Sequence, residues 1–165
     1  MTAILILGID PGLNRCGWGL VASEGARLSH VAHGIVAPKS QQQLASRLLF
    51  LFEELGAVID QHNPHEVAVE ETFVNSNARA ALALGQARGV ALAAAARRGV
   101  VVAEYSPATI KKAIVGSGSA DKTQIAFMVR RLLPTAGDVT ADAADALGVA
   151  LCHAAHGGFK RRAGG

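Results

Sequence analysis

Ile4-Leu5-Ile6-Leu7-Gly8-Ile9-Asp10-Pro11-Gly12 is the stretch that decides the fold. Its aliphatic run reads as a buried strand, and Pro11-Gly12 is a turn signal that stops the strand at Asp10. A carboxylate at the inner end of such a strand is costly to bury unless something positive meets it. Capping the Pro11-Gly12 turn is a second role open to Asp10, and its position alone does not separate the two. Sites in open α/β sheets collect at the carboxyl ends of strands, which is where Asp10 stands.

Outward from this strand, residues 16–22 and 27–36 read as two more strands with a turn at Ser23-Glu24-Gly25-Ala26, so the chain opens as an antiparallel meander. Leu44, Leu48, Leu51, Leu55 and Ile59 recur at helical spacing until Asn63-Pro64 ends the element. A short strand over 67–70, an alanine-rich helix over 77–98 and a strand over 100–105 follow. Strands joined through helices are expected to lie parallel, connected by right-handed crossovers. Helices over 107–115, 121–133 and 142–155 complete an α/β chain with a mixed sheet covered by helices.

The bulk numbers narrow the class. A chain of 165 residues, half of them apolar, suits a single domain over 1–158, with 159–165 (Phe159-Lys160-Arg161-Arg162 and Ala-Gly-Gly) as a frayed, solubilising basic tail. The 16 Lys and Arg exceed the 13 Asp and Glu by three, a modest surplus that suits a polyanionic partner without demanding one. Cys16 and Cys152 stand far apart with no Cys/His ligand spacing, which favours two buried reduced thiols over a disulfide or zinc site. The opening apolar run is short and lacks a cationic flank, and the apolar stretch 80–96 is alanine-rich and interrupted by Gln86 and Arg88. A soluble cytoplasmic protein with no signal peptide and no membrane span is expected.

Three further carboxylates join Asp10. Glu70 and Glu71 end the strand that starts at Val67, and alternation sends them to opposite faces, so only one can turn toward a shared site. Spacing does not choose between them. Asp142 and Asp145 form an i, i+3 pair on one face of a helix otherwise made of Ala143, Ala144, Ala146, Leu147, Val149, Ala150 and Leu151. Asp142 suits the helix dipole, whereas Asp145 lies deeper, with no cation at i+3 or i+4. Four converging carboxylates repel one another and raise each other's pKa unless cations neutralise them. Hard oxygen ligands select magnesium, with manganese as a substitute, and two such ions about 3.5–4 Å apart suit in-line phosphodiester hydrolysis.

The strings Gly8-Ile9-Asp10-Pro11-Gly12, Ala68-Val69-Glu70, Leu84-Gly85-Gln86-Ala87-Arg88-Gly89, Val115-Gly116-Ser117-Gly118-Ser119-Ala120-Asp121-Lys122 and Ala141-Asp142-Ala143-Ala144-Asp145-Ala146, in this order, resemble the RuvC family of Holliday-junction resolvases. The resemblance spans nearly the whole chain and implies an RNase H-like fold with a five-stranded mixed sheet. It implies that Asp10, Glu70, Asp142 and Asp145 are catalytic and metal-binding, which breaks the tie in favour of Glu70. Some family members carry histidine where Asp142 stands. It implies further a homodimer that cuts four-way junction DNA by two symmetric nicks, leaving 5′-phosphate and 3′-hydroxyl ends, beside a RuvA/RuvB branch-migration motor.

For DNA contact, Phe73 on the loop after the acidic strand can stack on an unpaired base or anchor the following helix. The resemblance favours the DNA role. Asn77 serves as a helix N-cap or a DNA ligand, and Arg79 is a further candidate. Lys111 and Lys122 flank the Gly116-Ser117-Gly118-Ser119 loop, an arrangement suited to phosphate that the family's basic positions support; Lys112 lacks that support. Ala80, Ala83, Ala87, Ala91 and Ala94 share one helix face, with Gly85 and Gly89 adding small positions, open to close packing within the chain or onto a second subunit. Two other classes are kept in view. A phosphotransferase of the actin/sugar-kinase type needs two such domains, and a junction-binding module without catalysis has no use for four converging carboxylates.

Overall fold

The computed structural model describes residues 2–71 and 76–163. β1 (Ile4–Asp10) is the central strand of a five-stranded sheet ordered β3-β2-β1-β4-β5. β2 (Cys16–Glu24) pairs antiparallel with β1 and with β3 (Arg27–Val36), while β4 (Glu66–Glu70) lies parallel to both β1 and β5 (Val101–Tyr105). This is the mixed sheet that the pattern predicts. The β2–β3 turn is tighter than expected: Gly25 takes φ 61°, which lets pairing continue to Glu24 opposite Arg27.

Helices α1 (Leu44–His62), α2 (Ala78–Arg97), α3 (Pro107–Val115), α4 (Lys122–Leu132) and α5 (Ala141–Ala163) complete the chain. A 3₁₀ turn over Pro134–Ala136 stands where a plain loop is predicted. The last helix needs a correction. Its backbone stays helical to Ala163, past the predicted end at Ala155. The reason is that no proline or capping signal interrupts 155–163, and Gly157-Gly158 weakens a helix without ending it.

Alternation along the strands divides the core into two. Ile6, Val21 and Ala68 meet α5 (Leu147, Ala150), α3 (Ile110, Ile114) and α4 (Ile125, Val129) on one face. Leu7, Ile9, Leu20, Val67 and Val69 meet α1 (Leu51, Leu55) and α2 (Ala87, Ala91, Ala94) on the other. The small face of α2 is thus used inside the chain, while Gly85 and Gly89 face open space. Two glycines set α5 against the sheet: a Cβ on Gly8 would run into the Ala146 carbonyl, and one on Gly17 into the Asp142 carbonyl. That closeness places the acidic first turns of α5 over the end of β1.

Candidate active site

In the parallel β1–β4 ladder Ile9 pairs with Val69, so one step further along, Glu70 comes beside Asp10. Both side chains fall on the face shared with Ala68, which α5 covers. The geometry therefore brings Glu70, not Glu71, to Asp10. Asp145 reaches the same point from above, and α3 and α4 close the sides. The result is a cleft of about 220 Å³ lined by Asp10, Glu70, Asp145, Lys111, Lys122, Pro107, Ile110 and Ile125.

Local sequence explains how the cationic side is built. Ser106 caps α3 by accepting from the Thr109 amide at 3.1 Å, with Pro107 in the first turn, and Lys111 follows one turn later. Asp121 caps α4 in a reciprocal box with Gln124, which makes Lys122 the first residue of that helix. Both lysines line the cleft.

The electrostatics are those of crowded acids. Burial pushes the Asp10 carboxyl up to about 8, helped by a hydrogen bond to Glu70 and the charges of Glu70 and Asp142, with Lys122 opposing. Glu70 is also raised, chiefly by burial and then by Asp145, with Lys122 and Lys111 pulling it down. Asp145 is raised to about 6 by burial and by Asp10. Burial and mutual repulsion thus favour a proton shared between Asp10 and Glu70. Among the described residues, no three His, Cys, Asp or Glu side chains already stand close enough to hold an ion. Asp142 does not line the cleft; its Oδ2 accepts from Arg15 Nε at 2.8 Å. The donor set nonetheless fits hard divalent cations, because a cation between these oxygens would replace the shared proton and reverse the pKa shifts.

A family model described as crossover junction endodeoxyribonuclease RuvC matches residues 6–153. The chain belongs to the RuvC family. It is 62% identical over 151 residues to the crossover junction endodeoxyribonuclease RuvC of Caulobacter sp. (strain K31), covering 92% of this chain and 89% of that one. Among solved structures, T. thermophilus RuvC in complex with Holliday junction substrate superposes with a TM-score of 0.88 at 33% identity, covering 95% of this chain and 96% of that one. The yeast mitochondrial Holliday junction resolvase Ydc2 shares the fold, with a TM-score of 0.67 at 13% identity over 94% of this chain and 82% of its own. The chain is thus a RuvC-family nuclease on an RNase H-like fold.

Other expectations meet the structure unevenly. Asn77 caps α2, its side chain accepting from the Ala80 amide at 3.1 Å, and with Arg79 it stands exposed and outside the cleft lining. Phe73 lies outside the described residues. Cys16 and Cys152 are free and buried, as expected, and burial pushes each thiol up to about 12. No helix of the described residues is long and apolar enough to cross a membrane.

Sequence reasoning missed several residues of this RuvC-family site. Arg15 was passed over because its partner is 127 residues away. Ile110 and Ile125, both buried in the core, also wall the cleft. Arg47 holds the loop that follows β1, donating to the Leu13 carbonyl at 3.2 Å and to Asn14 Oδ1 at 2.7 Å. His153, on the apolar helix α5, bridges Tyr105 and Glu66, and a histidine among alanines and leucines was the one visible signal for it.

Proposed function

We propose that this chain resolves four-way DNA junctions by two symmetric magnesium-dependent nicks, with Asp10, Glu70, Asp142 and Asp145 as the metal ligands. The observation that carries the reading is the convergence of carboxylates from β1, β4 and α5 in one cleft with Lys111 and Lys122. The cation pair would supply a deprotonated water and charge neutralisation at the leaving oxygen. Asp10 and Glu70 set the floor of the site and would hold a cation there once deprotonated. Asp145, on a helix seated tightly on the sheet, fixes the third side without freedom to drift. Lys111 and Lys122, which line the cleft, would hold the non-bridging phosphate oxygens over the acids. Ile110, Ile125 and Pro107 make one wall of the cleft apolar.

Asn77 and Arg79, at the start of α2 and outside the acidic cleft, belong to a DNA-facing region, and Phe73 is a further DNA contact in the same reading. A homodimer would supply two such sites for the paired nicks of a two-fold symmetric junction. Leu82 on α2 and Val101 on β5, 69% and 68% exposed, support a second copy along this edge of the molecule, as do the open Gly85 and Gly89. Collaboration with a RuvA/RuvB-type motor belongs to the same reading, as does a cytoplasmic place of action.

The test is cleavage of a synthetic four-way junction against matched linear duplex, mapped to the nucleotide. Paired nicks on the junction that need magnesium are the expected result. Full activity in excess chelator, or in Asp145→Asn at matched folding, would overturn the assignment.

A further inference from the structure

Asp142 is the one member of the acidic set that does not line the cleft, and its carboxylate is paired instead with an arginine. Arg15 Nε donates to its Oδ2 at 2.8 Å, with 55% of the arginine side chain and 34% of the aspartate exposed. Both partners rise from fixed bases. The loop carrying Arg15 is tied to α1 through Arg47, which holds Leu13 and Asn14. The backbone of Asp142 is pressed onto β2 so closely that Gly17 has no room for a Cβ. With both backbones held in this way, side-chain rotation is the simplest route by which the Asp142 carboxylate reaches the cleft. The charge of Asp142 is already felt there, since it is among the groups that push Asp10 up.

We propose that Arg15 is a resident counter-cation for Asp142, a positioning residue that competes with the metal for this carboxylate and passes to a DNA phosphate when metal and junction bind. The inference rests on reading Asp142 as a metal ligand. An exposed pair of this kind is weak enough to yield, being worth at most about five-fold in an equilibrium constant. A guanidinium is suited to the exchange because its planar fork matches a phosphate as well as a carboxylate. Without a bound cation, the guanidinium answers the charge of Asp142, which otherwise adds to the repulsion at Asp10 and Asp145.

Magnesium binding to the full chain, without DNA, is measured by calorimetry for the native protein, Arg15→Gln, Asp142→Asn and the double variant. Arg15→Gln should tighten binding by roughly two- to five-fold in the native background and leave it unchanged where Asp142 is already Asn. Equal tightening in both backgrounds would make Arg15 a through-space charge only and overturn the proposal, as would no tightening. Should Asp142→Asn bind magnesium like the native protein, the fault would lie with Asp142 as a ligand, which is a separate failure. An independent readout is the Arg15 Nε–H resonance, expected to move away from its carboxylate-bonded position as magnesium is added; an unmoved resonance at saturating metal overturns the proposal. With calcium in place of magnesium, Arg15→Gln should also lower the salt slope of junction binding by about one. An unchanged slope would refute the transfer to phosphate.

Discussion

Glu66 and Glu70 stand at the two ends of one five-residue strand, on the same face of the same sheet and under the same helix, and they live in opposite surroundings. At the carboxyl end, Glu70 meets Asp10 and Asp145 and is pushed toward protonation. At the amino end, Glu66 meets His153, with Oε2 2.5 Å from Nε2. A carboxylate there accepts, so Nε2 carries the proton, and in the neutral ring Nδ1 accepts from the Tyr105 hydroxyl at 2.7 Å. Strand and residue type do not make the difference; α5 does, by laying Asp145 over one end and His153 over the other. The first end concentrates like charge where a cation can answer it, and the second joins β4, β5 and α5 with satisfied polar groups. The first is the end proposed to react, and the second the end that holds.

Removing the carboxylate at each end should therefore break different properties. Glu70→Gln is expected to lower magnesium-dependent junction cleavage by at least about 100-fold, since loss even of outer-shell partners of metal ligands costs 10–100-fold. Glu66→Gln should keep cleavage within a few-fold while lowering the melting temperature. Single-turnover cleavage beside thermal melting of both variants decides it, and equal activity losses would erase the distinction between the ends.

The holding end has a sharper test in His153→Ala. His153 is 7% exposed, and its loss removes the imidazole that both the Tyr105 hydroxyl and Glu66 Oε2 meet. A cost of about 2 kcal/mol is expected, read as a drop of roughly 4–8 °C in melting temperature. In a double-mutant cycle with Glu66→Gln the two effects should be clearly less than additive.

The same contrast shows what could be read before the fold was known. The strands and helices were legible because apolar periodicity, Pro-Gly turns and caps agree locally, and Asp145 was legible because it stood alone among apolar helix positions. Glu70 was not separable from Glu71 by pattern, since alternation gives two faces and only the packing of α5 says which one carries the site. Glu66–His153 and Arg15–Asp142 join residues 87 and 127 positions apart, and nothing local marks them. The helical backbone through Ala163 was missed because the sequence there lacks periodicity, whereas continuation needs only the lack of a stop.

The smallest effect expected has the opposite sign to the others and turns on pH. Asp10 ordinarily titrates near 3.8 and is held at about 8 in the fold, by burial first and then by Glu70. Below about pH 4 the folded and unfolded chains both keep the proton, so this group costs nothing. Between pH 4 and pH 8 the unfolded chain releases a proton that the fold retains, so stability falls as pH rises across that window. Asp10→Asn removes the titration and should melt near the native protein at pH 4, then increasingly above it toward pH 8 in chelator, by roughly 1–2 kcal/mol at the upper end. Magnesium should reverse the order, because it stabilises only the chain that binds it. Melting curves from pH 4 to pH 8, with and without magnesium, read both signs. A variant that gains nothing at high pH would mean that the carboxyl end of β4 is no more strained by charge than the end that His153 holds.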